Sequence, residues 1–484
     1  MIMGGSDQIL VVVLFYFLIT MIIGLLPFGK KRVDSLGNFH SATRGIPDWC
    51  LVFCVLSTIY TSSTWTGWVP LTTQIGIFGI YTTVYIAISA FLYRIISPKV
   101  YDAGRENRIF SLGGYLEDRL NCHSINIFVS IVSIVVGAMW VVMELKSFGI
   151  IICAAFNYSI DFVSAVIMGL LVIVVYIIWG GMESAVWSAC LHGVIMIFGG
   201  IIISIMLVVY QYGSLADFFL ILKNNSGIVE MNYHNFDRIS DFPQWISNAI
   251  VSALGMVCLP QLFTRMVMGK NERSQKIISR WLGLSALWCL SFVLIGYVAT
   301  IEHIQVTQSA NLIFEIMALS NHSWILYLTY IVMMAAAMGT LDITLFSLST
   351  IIITTFVSKD ETFDRRRIRK KRRYTYVTLS RIVIIVVAML CMMIAVVLDD
   401  NLTDLAINSY QYICQIFPTL MYAAFAKNKN AKIAFFAMIC GFALTALLEM
   451  SKLSLVMTSG FWGLSVNSLV ILTGLAFKRK ISHL

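Results

Sequence analysis

Charge is what this chain lacks most. Only 12% of its 484 residues are Asp, Glu, Lys or Arg, against roughly 25% in soluble domains, while 59% are hydrophobic. A soluble core could not absorb that much apolar surface. A nucleotide-binding glycine loop is also missing, so ATP does not power the protein directly. No nucleophile–base pairing or metal cluster appears, which argues against an intramembrane enzyme; His192 stands alone in its apolar run and reads as an interior histidine. The ten cysteines have no metal-ligand spacing, and most, such as Cys54, Cys190, Cys289, Cys391 and Cys440, sit inside apolar runs as small fillers rather than as disulfide partners. The first apolar segment has no basic residue before it, so it reads as a retained helix and not as a signal peptide. No separate soluble domain remains once the apolar runs are set aside.

What is present is a series of apolar runs near 20 residues, each about long enough to cross a ~30 Å hydrocarbon layer as a helix. They lack the dyad alternation of a membrane barrel, which leaves helices. Thirteen spans are expected, at about 8–28, 48–74, 76–97, 125–153, 160–179, 185–210, 244–267, 281–301, 324–357, 377–398, 403–426, 432–450 and 460–477. With the N-terminus outside, 28 of the 34 Lys and Arg fall on the cytoplasmic side, in the loops at 29–47, 94–123, 268–280, 357–376 and 427–432 and in the tail Lys478-Arg479-Lys480. Lys223, Arg238 and Lys452 lie outside, and Lys146, Arg265 and Arg381 lie within spans or at their ends. That asymmetry sets the orientation. The net charge of +9 therefore speaks of topology and not of nucleic acid. The run Arg365 to Arg373 reads as an anchor of that topology, with an anionic-lipid or partner patch as the alternative. The polar segment 211–243 is expected to carry a short surface helix.

Transport needs polar groups at mid-membrane depth. Three places supply them. From Ser57 to Thr66 eight of ten residues bear hydroxyls, and Gly67 and Pro70 follow. Such a stretch is a poor membrane helix; if it unwinds, its carbonyls can coordinate a cation and its N–H groups can meet an anionic part of a substrate. Alternatively the hydroxyls only bond their own helix and neighbours. In the ninth span, Thr340, Thr344 and Ser347 share one helical face, and Gly339 and Asp342 share an adjacent one. A carboxylate there is costly unless it faces a cation, a partner or water, although backbone or Lys donors would also serve it. Glu144 lies in the fourth span with Lys146 two residues on. The two point about 200° apart, so Lys146 snorkels outward while Glu144 turns inward, either to a structural partner or to substrate.

At these positions the sequence resembles the sodium/solute symporter family, over about residues 10–430. Trp49 to Gly67 is similar to that family's broken first core helix, Ser111-Leu-Gly-Gly-Tyr-Leu-Glu-Asp-Arg119 to its cytoplasmic loop motif, and Gly180-Gly181-Met182-Glu-Ser-Ala-Val-Trp187 to its double-glycine signature. Leu259-Pro260-Gln261-Leu-Phe-Thr-Arg265 resembles the stretch ending the seventh span of proline-type members, and Ala336 to Thr350 resembles the ion-binding helix. The resemblance implies an all-α membrane fold of the leucine-transporter type, with two inverted five-helix repeats around a midplane site. The chain then divides into a peripheral helix and loop (1–47), a first repeat (48–210), an extracellular loop (211–243), a second repeat (244–426) and two peripheral C-terminal helices with a tail (427–484). It further implies a sodium site built from carbonyls of Ser57, Tyr60 and Ala336 and from side-chain oxygens at the positions that Gly339 and Thr340 occupy. Two departures stand out. Gly339 replaces the family's usual serine, and Ala189 replaces an aspartate of many members, which removes ligands. Asp342 matches an aspartate found in many members and would supply negative charge for a cation or take up a proton.

The expected function is symport of sodium with a small polar solute, an amino acid or related zwitterion or carboxylate, in a multi-pass protein of the cell membrane. Ser63, Thr64, Glu144 and the seventh span near Gly255 would line the solute pocket. Sodium is cargo here; no cofactor, nucleic acid or obligate protein partner is expected. Two alternatives keep the fold: a solute sensor, which the missing ligands favour and the missing signalling domain disfavours, and a proton-coupled or sodium-independent carrier that uses Asp342.

Overall fold

In lipid every backbone polar group must be satisfied within the chain, and continuous helix does this segment by segment. The computed structural model describes residues 6–26, 46–107, 109–224, 242–304, 309–357, 370–398, 402–451 and 456–481, and among these the chain is helical with no strand. In order the helices are α1 (Ser6–Leu25), α2 (Asp48–Ile59), α3 (Val69–Ile75), α4 (Tyr81–Asn107), α5 (Leu112–Leu120), α6 (His123–Ala155), α7 (Phe162–Tyr212) and α8 (Leu215–Asn224). There follow α9 (Phe242–Cys258), α10 (Pro260–Met266), α11 (Glu272–Ser285), α12 (Leu290–Ile301), α13 (Ser309–Ala318), α14 (Ser323–Ile352), α15 (Lys370–Val397), α16 (Leu402–Ile413), α17 (Phe417–Phe425), α18 (Ala431–Ser451) and α19 (Ser459–Ile481). Nine helical stretches among the described residues are long and apolar enough to cross a membrane, and the bent pair α9–α10 makes a tenth.

The breaks follow the sequence. One expected span, 48–74, divides: α2 ends at Ile59, Tyr60 is extended (φ −92°, ψ 102°), and a wide π turn over Thr64–Trp68 leads into α3. The expected spans 160–179 and 185–210 are instead one helical run, α7, kinked at Gly181, whose φ of 64° and ψ of −151° suit a residue without Cβ. At 51 residues, or about 76 Å at 1.5 Å per residue, α7 is long enough for two crossings joined at that kink. Leu259-Pro260 bends α9 against α10 by 56°. Helix starts are capped by side chains: Ser111 accepts from Gly114 N, Asp161 from Ser164 N and Asn271 from Ser274 N. The last cap begins α11 well before the span expected at 281–301. Its first turns bury Ser274, Gln275 and Ile278 and turn Arg273, Lys276 and Arg280 away from the core, an amphipathic extension that hydropathy alone misses. The expected surface helix in 211–243 is α8. The basic run from Arg365 to Arg369, Arg238 and Lys452 lie outside the described residues.

The core sits around α14, whose most apolar stretch is 94% buried, against 28% for α1 and for α15. It packs on α7 and α6, and α2 packs on α7. On α15 the exposed Ile382, Val386, Met389 and Met393 give the outward apolar face expected of a lipid-facing helix. The α2–α7 contact depends on Gly193. A Cβ there would fall within the radius of the Phe53 carbonyl oxygen and 2.8 Å from its carbon, and backbone cannot step aside as a side chain can. Gly193→Ala is expected to destabilise by about 1–3 kcal/mol, the usual cost of overpacking, seen as a fall in melting temperature in detergent. Gly283→Ala is the control: its new methyl would meet Ala90 Cβ at an ordinary 3.7 Å, and no loss is expected. Equal melting temperatures for the two variants would refute the close-approach account.

Candidate ion and solute site

The hydroxyl-rich run does break, and its hydroxyls stitch the break together. Thr61 N donates to Thr64 Oγ1 at 3.1 Å and Thr64 N to Thr61 Oγ1 at 3.2 Å, a reciprocal cap on the second half of the span. Thr61 Oγ1 also lies 2.6 Å from Ser63 Oγ. Thr66 Oγ1 reaches Ser147 Oγ of α6 at 3.1 Å. These hydroxyls bond to their own segment and its neighbours, and they do so around an interrupted helix.

On the first side of the break α2 meets α14. Thr340 Oγ1 donates to Ser57 O at 3.1 Å and lies 3.3 Å from Ala336 O. Three oxygens named from the sequence, on helices 279 or more residues apart in the chain, thus form one buried cluster. Tyr60 ends α2 one turn on, its hydroxyl held by Ser285 O at 2.6 Å and by Ser285 Oγ at 2.8 Å. Gly339 is what allows the approach, because a Cβ on it would sit 2.9 Å from Ser57 Cβ and 3.2 Å from His192 Cβ. Ser57 Oγ would lie 3.3 Å from that Cβ. The hydroxyl missing at 339 has a neighbour of the same chemistry on α2. At present Ser57 Oγ donates to Cys54 O at 3.0 Å.

Asp342, one turn from Gly339 on α14, faces α7. Its Oδ2 accepts from Ser188 Oγ at 2.6 Å and from Tyr176 OH at 3.0 Å, one donor from each side of the Gly181 kink. Its Oδ1, although buried, has no partner among the described residues. Ala189, next to Ser188, is fully buried and brings no ligand. Nearby, His192 Nδ1 lies 2.6 Å from Tyr16 OH of α1, while its Nε2 is without a partner among the described residues; the isolated interior histidine is half satisfied. Arg265, also fully buried, sets Nη1 against the sulfurs of Met268 (3.1 Å) and Met182 (3.4 Å), with Nε and Nη2 unpartnered among the described residues.

Glu144 of α6 is fully buried and closes on the broken span. Oε2 accepts from Ser62 N at 3.0 Å and from Ser62 Oγ at 2.6 Å, and Oε1 accepts from Ser63 Oγ at 3.2 Å. One N–H of the run whose freed N–H groups are expected to meet an anionic substrate group is in this structure held by the protein's own carboxylate. Lys146 turns away, as its spacing requires, and donates to Leu398 O. Gly255 of α9 packs against Tyr410 of α16: a Cβ on it would be 3.0 Å from Tyr410 Cδ1. Sequence reasoning missed Ser62, Tyr176 and Ser188 as partners of the two buried carboxylates. Ser62 sat inside the run already singled out. Tyr176 and Ser188 were within reach as polar interruptions of apolar helix near the double glycine.

Comparison with known proteins gives a consistent result. The sequence profile of the sodium:solute symporter family matches residues 39–441. The uncharacterized symporter YodF of Bacillus subtilis (strain 168) is 19% identical over 425 residues, covering 87% of this chain and 83% of YodF. The uncharacterized symporter YhjB of the same organism is 19% identical over 274 residues, 56% of this chain, and that match spans about half of YhjB (55%). Among solved structures, a Na+-coupled sialic acid symporter in a substrate-bound outward-open state superposes with a TM-score of 0.77 at 15% identity, covering 96% of this chain and 95% of that one. MHP1, a nucleobase-cation-symport-1 family transporter in a closed conformation with bromovinylhydantoin bound, gives 0.56 at 11% identity, covering 91% and 95%. At such identities the two structures speak for a shared fold.

Proposed function

The chain belongs to the sodium:solute symporter family, and from that premise we propose that it moves a small polar solute across the cell membrane together with sodium, by alternating access. It is a transporter rather than an enzyme. The observation that carries the reading is the buried meeting of Thr340 Oγ1 with the carbonyls of Ser57 and Ala336 beside a broken helix. Sodium favours such a cage of hard oxygens, as other hard cations do. We assign the carbonyls of Ser57, Tyr60 and Ala336 and the hydroxyl of Thr340 as its ligands. Ser57 Oγ stands in for the hydroxyl absent at Gly339, and Asp342 supplies negative charge from α14.

In this reading thirteen spans, N-terminus outside and C-terminus inside, form two inverted repeats at 48–210 and 244–426, flanked by a peripheral helix and loop (1–47), an outer loop (211–243) and a peripheral C-terminal pair (427–484). Sodium ties α2 to α14. That stabilises the solute chamber next to Ser63, Thr64 and Gly255, and each ligand binds better with the other present. Rocking of one helix group against the other then exposes both to the inside. Proton coupling is the second reading, and it rests on the unpartnered Oδ1 of buried Asp342. In proteoliposomes, uptake driven by an inward sodium gradient is expected to collapse when potassium replaces sodium. Undiminished uptake in potassium would remove sodium from the mechanism, and absence of any solute flux under its own gradient would point to a sensor.

A further inference from the structure

The broken span of a transporter offers free N–H groups to the anionic end of a solute. Here Glu144 takes that place. Its bonds come from a backbone N–H and from serine hydroxyls, which are neutral donors, and no Lys, Arg or His lies within 4.0 Å of it among the described residues. No basic side chain among the described residues stands by to cancel a negative charge on it, in a setting where an unpaired charge is costly.

What surrounds it is aromatic. Trp140 lies one turn before Glu144 on α6, hence on the same face. Its ring centroid is 5.6 Å from that of Tyr410, Tyr410 is 5.9 Å from Tyr85, Tyr85 is 5.2 Å from Tyr81, and Tyr81 stacks on Trp68 at 5.1 Å. Trp68 belongs to the broken span itself, one turn beyond Thr64. The rings therefore run as an unbroken arc from the broken span through α4 and α16 to α6, and the bonds of Glu144 to Ser62 and Ser63 close the circle. Deep as they are, Trp68 (7%), Ser63 and Thr64 (6% each), Trp140 and Tyr85 (5% each) and Tyr410 (3%) keep some exposed surface. That residual surface is where a solute would meet the arc, since Tyr81, Ser62 and Glu144 behind it have none. Two polar atoms of the arc are bonded to serine hydroxyls, Trp140 Nε1 to Ser409 Oγ at 3.1 Å and Tyr81 OH to Ser252 Oγ at 2.5 Å.

A ring of aromatics with one uncompensated carboxylate behind it selects positive charge, because π faces and the carboxylate attract a cation together and both repel an anion. We propose that the solute is an ammonium compound, an organic cation or a zwitterion, whose ammonium group lodges in this arc against the Glu144 side, with any carboxylate held away from the broken span. This rests on the transport reading and narrows its substrate class. It excludes simple carboxylates.

The test uses the purified full chain in nanodiscs and follows tryptophan fluorescence and melting temperature. Tetramethylammonium, glycine betaine, pivalate and tert-butanol are titrated at constant ionic strength in amine-free phosphate buffer. The four share a compact methylated head and differ in charge. Tetramethylammonium and betaine are expected to bind, pivalate and tert-butanol at least tenfold more weakly. Glu144→Gln keeps an oxygen for Ser62 and removes the charge, and Trp140→Ala opens the arc; each is expected to weaken tetramethylammonium at least tenfold, with Trp140→Phe near wild type. Preference for pivalate, or indifference to charge across the series in the wild-type protein, overturns the inference even if Glu144→Gln fails to fold. The titrations are repeated in sodium and in potassium. Ammonium binding that is equal in both salts supports the arc and counts against sodium coupling; binding enhanced by sodium but strongest for pivalate does the reverse.

Discussion

Thr340→Val is expected to weaken sodium binding roughly 10- to 140-fold while leaving the fold in place. Valine matches threonine in shape and lacks only the hydroxyl, which in this structure touches Ser57 O at 3.1 Å and Ala336 O at 3.3 Å. An oxygen facing a charged group, taken like a hydrogen bond to one, contributes about 1.5–3 kcal/mol, and each 1.4 kcal/mol is tenfold in affinity. In the absence of sodium the hydroxyl makes one ordinary neutral hydrogen bond between helices, worth about 1 kcal/mol. The two numbers separate the functional role from the structural one. Melting temperature measured in potassium should therefore change little, and the rise on adding sodium, which reports binding by mass action, should need far higher concentrations. Thr340→Ser restores the oxygen without the methyl and should bind sodium nearly as well as wild type. If Thr340→Val responds to sodium like wild type, the cluster between α2 and α14 is a packing contact and the ion sits elsewhere.

The same cluster shows how much of the site a reader of the sequence could see. Ser57 and Tyr60 lie more than 270 residues from Ala336 and Thr340 in the chain, and no periodicity connects the two pairs. Their meeting was legible only through resemblance, because helix–helix pairing in a membrane is set by small residues and shape rather than by hydropathy pattern. The breaks were more open to inspection. Eight hydroxyls in ten residues, a double glycine and Leu259-Pro260 each mark a place where helix costs more than it returns, and the chain is interrupted at all three. Glu144 could be seen to turn inward, since Lys146 two residues on had to point away. That it would cap Ser62 could not be seen, because Ser62 and Glu144 lie 82 residues apart. Hydropathy also misjudged where α11 begins, since charged side chains on one face of a helix end look, in sequence, like a loop.

Asp342→Asn is expected to have the other large effect, and its direction decides between the two coupling ions. The carboxylate is held on one side by Ser188 Oγ and Tyr176 OH, both donating to Oδ2, and asparagine can meet both donors with its single oxygen. What it cannot supply is the negative charge, nor an acceptor where Oδ1 now lies buried without a partner. Asp342 sits two residues beyond Thr340. With a separation of ~8 Å and an effective dielectric near 20, a sodium ion in the cluster would gain about 2 kcal/mol from that charge, or roughly 30-fold in affinity. The expected result is accordingly a sodium titration displaced about 30-fold, with uptake at saturating sodium partly preserved. A proton site predicts something different: uptake driven by an inward pH gradient in the wild type, abolished in Asp342→Asn, with the sodium titration unmoved. Arg265 lies within electrostatic range of Asp342 but is not within 4.0 Å of it. Neutralising Asp342 therefore leaves that buried guanidinium uncompensated as well. Asp342→Asn paired with Arg265→Gln should be more stable than Asp342→Asn alone if the two charges sense each other in the folded protein. Stabilities that simply add would show Arg265 to be independent of the site.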